Sequence, residues 1–169
     1  MKLSPLDQDV LHRAHHPRWA YAPTSGQGAA IAGGRFNRIG TPALNLSLDE
    51  STSAAEYKQD APIADPYLMV SYQAKLPPLV DIRLLDGDWD ELWNDWNCDW
   101  RSLYVDGYEP PSWLLGEMVQ DAGHVGLIFP SLARSGGVNV VLYTEQLKPD
   151  WIRAHDPNQY LPKDQASWE

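Results

Sequence analysis

Four polar residues of this chain have side chains that suit the binding of an anion and a reaction assisted by one carboxylate: Arg13, Arg35, Glu56 and Ser131. Arg35 follows Gly33 and Gly34, which let the backbone turn tightly or approach a ligand closely. Its planar guanidinium is a permanent cation that matches phosphate or carboxylate oxygens. The alternative for this segment is a surface loop whose arginines are solvated.

The distribution of charge favours a small-anion site near the N-terminus. The 169 residues carry a formal net charge of −10, which argues against a general binder of nucleic acid or of anionic membranes. Residues 1–40 nevertheless carry a net charge of +3, and the remainder carries −13. A basic protein partner for the acidic remainder is a second interpretation.

The residues that carry the chemistry fall at the ends or on the faces of predicted elements. Arg13 lies in a predicted strand over 10–15, which Pro17 ends. Glu56 lies in a predicted helix over 51–59, begun by Ser47 and Glu50 as a capping box. A lone glutamate on a helix is ordinarily a solvated surface charge.

Ser131 follows a predicted buried strand over 125–129. No glycine pattern of a serine-hydrolase nucleophile elbow surrounds it, so its hydroxyl is interpreted as a positioning group and not a nucleophile. No glycine-rich phosphate loop of the Walker type occurs either.

The remaining pattern predicts a single α+β domain with a small mixed sheet and flanking helices. Strands and helices alternate without a regular βαβ rhythm. Residues 22–34 are predicted to be a loop, and Pro110, Pro111 and Ser112 to cap a helix over 113–121. Further strands are predicted over 43–47, 67–74, 79–82 and 138–143. We expect a core from about residue 10 to 145 and an irregular tail over 146–169.

Tryptophans recur at helical spacing between residues 88 and 104, namely Trp89, Trp93, Trp96 and Trp100, and this spacing predicts a helix over the segment. Such a stripe could stack sugars or bases. Helical periodicity is the ordinary signature of burial, so we interpret the stripe as packing against the core or a partner. The acidity of the chain further disfavours base stacking.

No metal site is expected. His12, His15 and His16 fall on a short strand without interleaved carboxylates, and Cys98 is the single cysteine. The N-terminus has no apolar signal region and no apolar run is long enough to span a membrane, so a cytoplasmic location without membrane contact is expected.

At these residues the sequence resembles the RES domain family, named for its Arg, Glu and Ser. The match extends from residue 11 to about 143 and rests on the order and spacing of several short motifs. These are Leu11-His12-Arg13, Gly33-Gly34-Arg35-Phe36-Asn37, Gly40-Thr41-Pro42, Ser53-Ala54-Ala55-Glu56-Tyr57, Phe129-Pro130-Ser131 and Gly136-Gly137-Val138-Asn139.

The resemblance implies a toxin of a bacterial toxin–antitoxin pair that acts on NAD as its substrate. It also implies a fold similar to ADP-ribosyltransferases and an Xre-like antitoxin partner, with no direct contact to nucleic acid. Arg13 and Arg35 would bind the pyrophosphate, Glu56 would stabilise the ribosyl cation and Ser131 would orient the ribose. Water, phosphate or a protein side chain could accept the ADP-ribosyl group, and a non-catalytic NAD-binding module is a further alternative.

One position departs from the family pattern. In the strand after the Gly40-Thr41-Pro42 turn, a tyrosine is usual where this chain has Asn45. Asparagine has neither an aromatic ring nor a phenol hydroxyl. We therefore expect Asn45 to lie in the NAD site and to reduce activity, whether it is natural or introduced.

Overall fold

The computed structural model describes residues 1–84 and 94–166, and in them eight strands form one mixed sheet. The strands are β1 Leu3–Ser4, β2 Val10–His15, β3 Ala43–Ser47, β4 Leu68–Ala74, β5 Leu79–Asp81, β6 Gly126–Pro130, β7 Val138–Tyr143 and β8 Ile152–Ala154. Their order in the sheet is β1-β5-β6-β7-β3-β2-β4-β8. Only β5 and β6 among them pair in parallel. The α+β prediction is confirmed.

The helices of the described residues are α1 Gln27–Ala32, α2 Glu50–Lys58, α3 Trp100–Val105 and α4 Pro111–Asp121, with short 3-10 turns at Pro17–Trp19 and Thr144–Gln146. The prediction of a loop throughout 22–34 is therefore wrong at α1. Alanine favours helix, Ala29 is buried, and Gly33 ends the helix in a left-handed conformation with φ of 72°.

Hydrophobic side chains are buried on both faces of the sheet. On β7, Val141 and Tyr143 join a cluster with Leu115 of α4, whereas Val140 and Leu142 join a second cluster on the other face. This alternation is the period-two pattern of a strand covered on both sides. It explains why β6 and β7 read as continuous apolar runs.

Two predicted helix starts are displaced in the structure. Ser47 does not cap α2, because it is the last residue of β3 and pairs with Asn139 of β7. Asp49 is the cap, and its carboxylate accepts a hydrogen bond from the Thr52 N–H at 2.8 Å. Ser112 is likewise inside α4, which begins at Pro111 because proline suits the first helical position.

The continuous helix predicted over 88–104 is also wrong. Residues 95–99 are turns and bends, and α3 begins at Trp100 after capping by Asp99. Trp96 and Trp100 are buried, as the periodicity indicated. Trp89 and Trp93 lie outside the described residues.

The segment from residue 146, predicted to be irregular, contains a strand. β8 pairs antiparallel with β4, and the Lys75 N–H donates to the Trp151 carbonyl just before it. Trp151 and Ile152 pack partly buried against the second cluster. This C-terminal segment therefore covers part of the second cluster with its apolar side chains, although proline and aspartate residues interrupt it.

Candidate functional site

A cavity of about 230 Å³ opens between the sheet and the helices α2 and α3. Residues of β2, β3, α2 and α3 line it, together with Gly33, Gly34 and Arg35. Four of the predicted site residues, Arg13, Arg35, Asn45 and Glu56, contribute to its walls. Segments far apart in the chain thus meet at one concave surface.

Arg35 is fixed in the wall by backbone carbonyls. Its Nη1 donates to the Cys98 carbonyl at 2.7 Å and to the Trp96 carbonyl at 3.3 Å. Burial lowers the pKa of the Arg35 guanidinium, which stays charged because its ordinary pKa is so high. Arg35 is therefore an oriented cation, and no carboxylate of the residues that the structure describes forms an ion pair with it.

The absence of a side chain at Gly34 lets the backbone before Arg35 pack closely against the Asn37 side chain. A Cβ on Gly34 would lie 2.3 Å from Asn37 Oδ1, so a larger residue would have to displace the buried Asn37 side chain. The Gly34 carbonyl accepts a hydrogen bond from the Trp113 indole at 2.7 Å. The turn is thereby fixed to α4, and it aims Arg35 at the cavity.

Arg38, the second arginine of this segment, has a structural role. Its guanidinium pairs with Glu109 and with Glu117, and lies 5.9 Å from the centre of the Trp113 ring. The pKa of Arg38 is raised, chiefly by the hydrogen bond to Glu117. The two arginines are three residues apart, but Arg35 lines the cavity whereas Arg38 stabilises the fold through its ion pairs.

Arg13 brings a second cation from β2. Its Nη1 atom is buried and has no hydrogen-bond partner among the residues that the structure describes. Burial also lowers its pKa. A buried donor without a partner is costly unless something satisfies it, so an anion in the cavity is the natural partner.

Glu56 is the carboxylate of the cavity and is held through one oxygen. The Ser131 hydroxyl donates to Oε1 at 2.7 Å, and the Asn139 amide donates to the same oxygen at 2.5 Å. Oε2 accepts no hydrogen bond from the described residues. Glu56 is thus not a solvated surface charge, and one oxygen remains available to a ligand.

Ser131 contacts Glu56 and does not itself line the cavity. Its hydroxyl oxygen also accepts from the N–H groups of Ala133 and Arg134, at 3.2 and 3.0 Å. Gly137 packs so tightly on Thr52 of α2 that a Cβ would lie 2.6 Å from its hydroxyl. The turn over 131–137 is therefore fixed against the helix that carries Glu56.

Three residues of the site were missed by the sequence reasoning. Arg101 and Asn139 line the cavity, and the Arg101 guanidinium stacks on Trp100 at 4.5 Å from the ring centre. Ser47 also lines it and donates to Asn139 Oδ1 at 2.8 Å. The sequence does contain an indication of Ser47 and Asn139, since each is a polar residue in an otherwise apolar strand. No sequence pattern indicated Arg101, because it lies in an acidic and aromatic segment.

Among the described residues, three arginines and one glutamate line the cavity: Arg13, Arg35, Arg101 and Glu56. Glu56 offsets a single positive charge, so the walls keep an excess of positive charge in an acidic protein. Cations grouped in a concave, partly desolvated site attract anions more strongly than the same groups on an open surface. The geometry thus suits a ligand that carries two negative charges.

His15, on the same strand as Arg13, forms a buried polar pair with Tyr72 of the neighbouring strand β4. The Tyr72 hydroxyl donates to the Pro23 carbonyl at 2.7 Å, so it accepts a hydrogen bond from His15 Nε2. Burial, and secondarily the charge of Arg13, lower the pKa of His15 to about 3. His15 is therefore neutral near pH 7, and it serves as a structural hydrogen-bond donor in that form.

This pair predicts a loss of stability in weak acid. An unfolded histidine has a pKa near 6.5, so between pH 6.5 and 3 the unfolded chain binds more protons than the folded one. The free energy of unfolding then falls as pH falls, and His15 accounts for about 2 kcal/mol of that fall by pH 5. We expect His15→Gln to show a smaller difference in Tm between pH 7.5 and pH 5 than the unaltered protein.

The exposed His155 supplies the control for this measurement. His155→Gln should keep the full difference in Tm between the two pH values. An equal pH dependence in His15→Gln and the unaltered protein would show that His15 is not buried in its neutral form.

Comparisons with known proteins place this cavity in context. A model of the RES domain matches residues 10–164. The fold is similar to a chain in the crystal structure of the M. tuberculosis MbcT–MbcA toxin–antitoxin complex, with a TM-score of 0.62 and 17% sequence identity over 88% of this chain and 81% of that chain. No curated protein sequence matches significantly. Within the part of the chain that the structure describes, no helix is long and apolar enough to cross a membrane.

Proposed function

This chain belongs to the RES domain family, and we propose that it is the toxin of a bacterial toxin–antitoxin pair that consumes NAD by cleaving the nicotinamide–ribose bond. The observation that carries the proposal is the composition of the cavity. Among the described residues, three arginines and one glutamate line the cavity, and Oε2 of that glutamate accepts no hydrogen bond from them.

The arginines suit the pyrophosphate of NAD. This group is a dianion, and Arg13 and Arg35 offer donors that Glu56 does not occupy. Charge-assisted hydrogen bonds to phosphate oxygens are among the strongest available to a protein. A cavity of about 230 Å³ is smaller than typical ligand sites of ~300–1,000 Å³, so we expect it to enclose only part of the dinucleotide.

Glu56 suits the reacting ribose. When the bond from C1′ to the nicotinamide nitrogen breaks, its electron pair leaves with the nitrogen and neutral nicotinamide departs. Positive charge then develops on C1′ and the ring oxygen, as in glycoside hydrolysis. A carboxylate held near these atoms stabilises that charge more than it stabilises the ground state. Ser131 acts through Glu56 in this proposal, by holding Oε1.

The acceptor of the ADP-ribosyl group defines the reaction, and product analysis tests the proposal. The protein is incubated with NAD, with and without inorganic phosphate, and the products are separated. Free ADP-ribose indicates hydrolysis by water, which loses a proton as it attacks C1′. A phosphorylated ADP-ribose indicates phosphorolysis. Undiminished NAD in both incubations would refute the proposed activity.

An ADP-ribosyltransferase specific for a protein is the alternative within the enzymes. It would transfer label from NAD to a protein target. A non-catalytic NAD-binding module is the alternative outside them, and Asn45 in the wall of the cavity favours it. Such a module would bind NAD and leave it intact.

The partner we propose is an Xre-like antitoxin protein. The similarity in fold to a chain of a toxin–antitoxin complex supports such a partner. A gene for a small Xre-like protein next to the gene of this chain is the expected genomic arrangement. Co-expression of the two proteins should restore the growth of cells that produce this chain, and pull-down should recover a complex.

Asn45→Tyr is expected to raise NAD consumption. The side chain of residue 45 lines the cavity on β3, where a phenol ring would supply a stacking surface worth about 1–3 kcal/mol. We therefore expect kcat/KM for NAD to rise about tenfold. Asn45→Phe serves as the matched control and separates the ring from the hydroxyl. Equal rates in Asn45→Tyr and the unaltered protein would show that position 45 does not limit activity.

A further inference from the structure

We propose that Asn139, held by Ser47, is a positioning residue that determines which oxygen of Glu56 faces the substrate. This inference rests on the proposed function, because it assigns a role within the same site. It concerns a chain of three side chains that runs from β3 through β7 to α2.

The hydrogen bonds determine the orientation of the Asn139 amide. An ionised carboxylate only accepts hydrogen bonds, so the Asn139 NH₂ group must point to Glu56 Oε1. Asn139 Oδ1 then points away from Glu56, where the Ser47 hydroxyl donates to it at 2.8 Å. Each group has the partner that its chemistry requires, so the amide cannot flip without losing both hydrogen bonds.

The rigidity of this chain comes from the sheet. Ser47 and Asn139 face each other in the register of β3 and β7, and both are buried. The two strands pair over five residues. Ser131 holds the same Glu56 oxygen from a turn, whereas Asn139 holds it from the middle of the sheet. The position of Oε1 is therefore tied, through the pairing of β7 with β3, to the strand that also carries Asn45.

The consequence is an asymmetric carboxylate. Both donors occupy Oε1, and Oε2 accepts no hydrogen bond from the described residues. Oε2 is then the oxygen that meets a ribose hydroxyl or the developing cation. An oxygen directed in advance at the site of developing charge needs no reorganisation during the reaction. A carboxylate free to rotate would lose this advantage.

The kinetic test compares Asn139→Ala and Ser47→Ala with Val140→Ala. Val140 neighbours Asn139 on β7, is fully buried and belongs to the cluster on the opposite face. We expect Asn139→Ala to lower kcat for NAD about 10- to 100-fold with little change in KM, and Ser47→Ala to lower it less. Val140→Ala should lower Tm and leave kcat unchanged. An unchanged kcat in folded Asn139→Ala would overturn the proposal.

A pH profile separates positioning from packing. Asn139→Asp places a second carboxylate against Glu56, and two like charges at this distance hinder each other's ionisation. The acidic limb of the kcat profile should therefore move to higher pH in Asn139→Asp, and Val140→Ala should leave the position of that limb unchanged. A packing defect would lower kcat equally at all pH values, and that result in Asn139→Asp would count against the proposal.

Crystal structures of the unaltered protein and of Asn139→Ala keep this inference distinct from the proposed function. If the unaltered protein consumes no NAD, the proposed function fails. The positioning role of Asn139 is then tested by comparing the orientation of the Glu56 carboxylate in the two crystal structures. A carboxylate that rotates or becomes disordered in Asn139→Ala supports the positioning role. A carboxylate that keeps its place without the amide overturns it.

Discussion

Replacement of Glu56 by glutamine is expected to lower kcat for NAD cleavage by about a thousandfold. Glutamine keeps the size of the side chain, and its amide oxygen can still accept from Ser131 and Asn139. The negative charge is lost, so the oxocarbenium-like state loses its stabilising partner. Because this interaction strengthens as the bond breaks, the loss should appear in kcat and not in binding of NAD.

Glu50→Gln is the matched control for this variant. Glu50 belongs to the same helix and is exposed, and its carboxylate lies 3.9 Å from His12 and outside the cavity lining. Its replacement should leave kcat and the affinity for NAD unchanged. In a growth assay, Glu56→Gln should abolish toxicity and Glu50→Gln should not. Full turnover by Glu56→Gln would remove this carboxylate from the reaction.

Arg35→Ala is expected to raise the Kd for NAD about 10- to 100-fold. A hydrogen bond to a charged group contributes about 1.5–3 kcal/mol, which corresponds to this range of affinity. The Cys98 carbonyl already orients the guanidinium at 2.7 Å, so little entropy is lost when an anion binds. Calorimetric titration with NAD measures the change, and loss of toxicity should accompany it.

Two further variants define what Arg35 contributes. Arg35→Lys keeps the charge but loses the planar fork, so its Kd should lie between those of the unaltered protein and Arg35→Ala. Arg153→Ala removes an exposed arginine of the edge strand β8 that binds Gln73 of β4, and it should leave the Kd unchanged. Unchanged affinity in Arg35→Ala would place the pyrophosphate elsewhere.

The excess of cations also has a consequence for the empty protein. Arg13 and Arg35 are both desolvated, and Arg101 adds a third like charge to the cavity. Groups gathered for binding commonly reduce the stability of the fold that holds them. A bound dianion offsets this repulsion, so NAD should raise Tm in proportion to its affinity.

Most of the fold could be predicted from the sequence, because its strands depend on local patterns. The segments over 10–15, 43–47 and 138–143 have bounds that match the structure. Their apolar residues recur at strand spacing or in short continuous runs, and proline or glycine bounds them. The errors at α1 and β8 arose where tertiary contacts bury residues in segments of loop-like composition.

The tertiary structure alone decided how the polar residues of the site divide their roles. Ser131 and Asn139 meet Glu56 across 75 and 83 residues, and no local pattern encodes such a contact. Arg35 and Arg38 are alike in sequence, yet Glu109 and Glu117 neutralise only Arg38. By itself the sequence determined an α+β chain with Arg13, Arg35, Glu56 and Ser131 at the ends of its elements. Long-range pairing of β3 with β7, and packing of α2 on the 131–137 turn, decided that one oxygen of Glu56 is held while the other accepts no hydrogen bond from the described part of the chain.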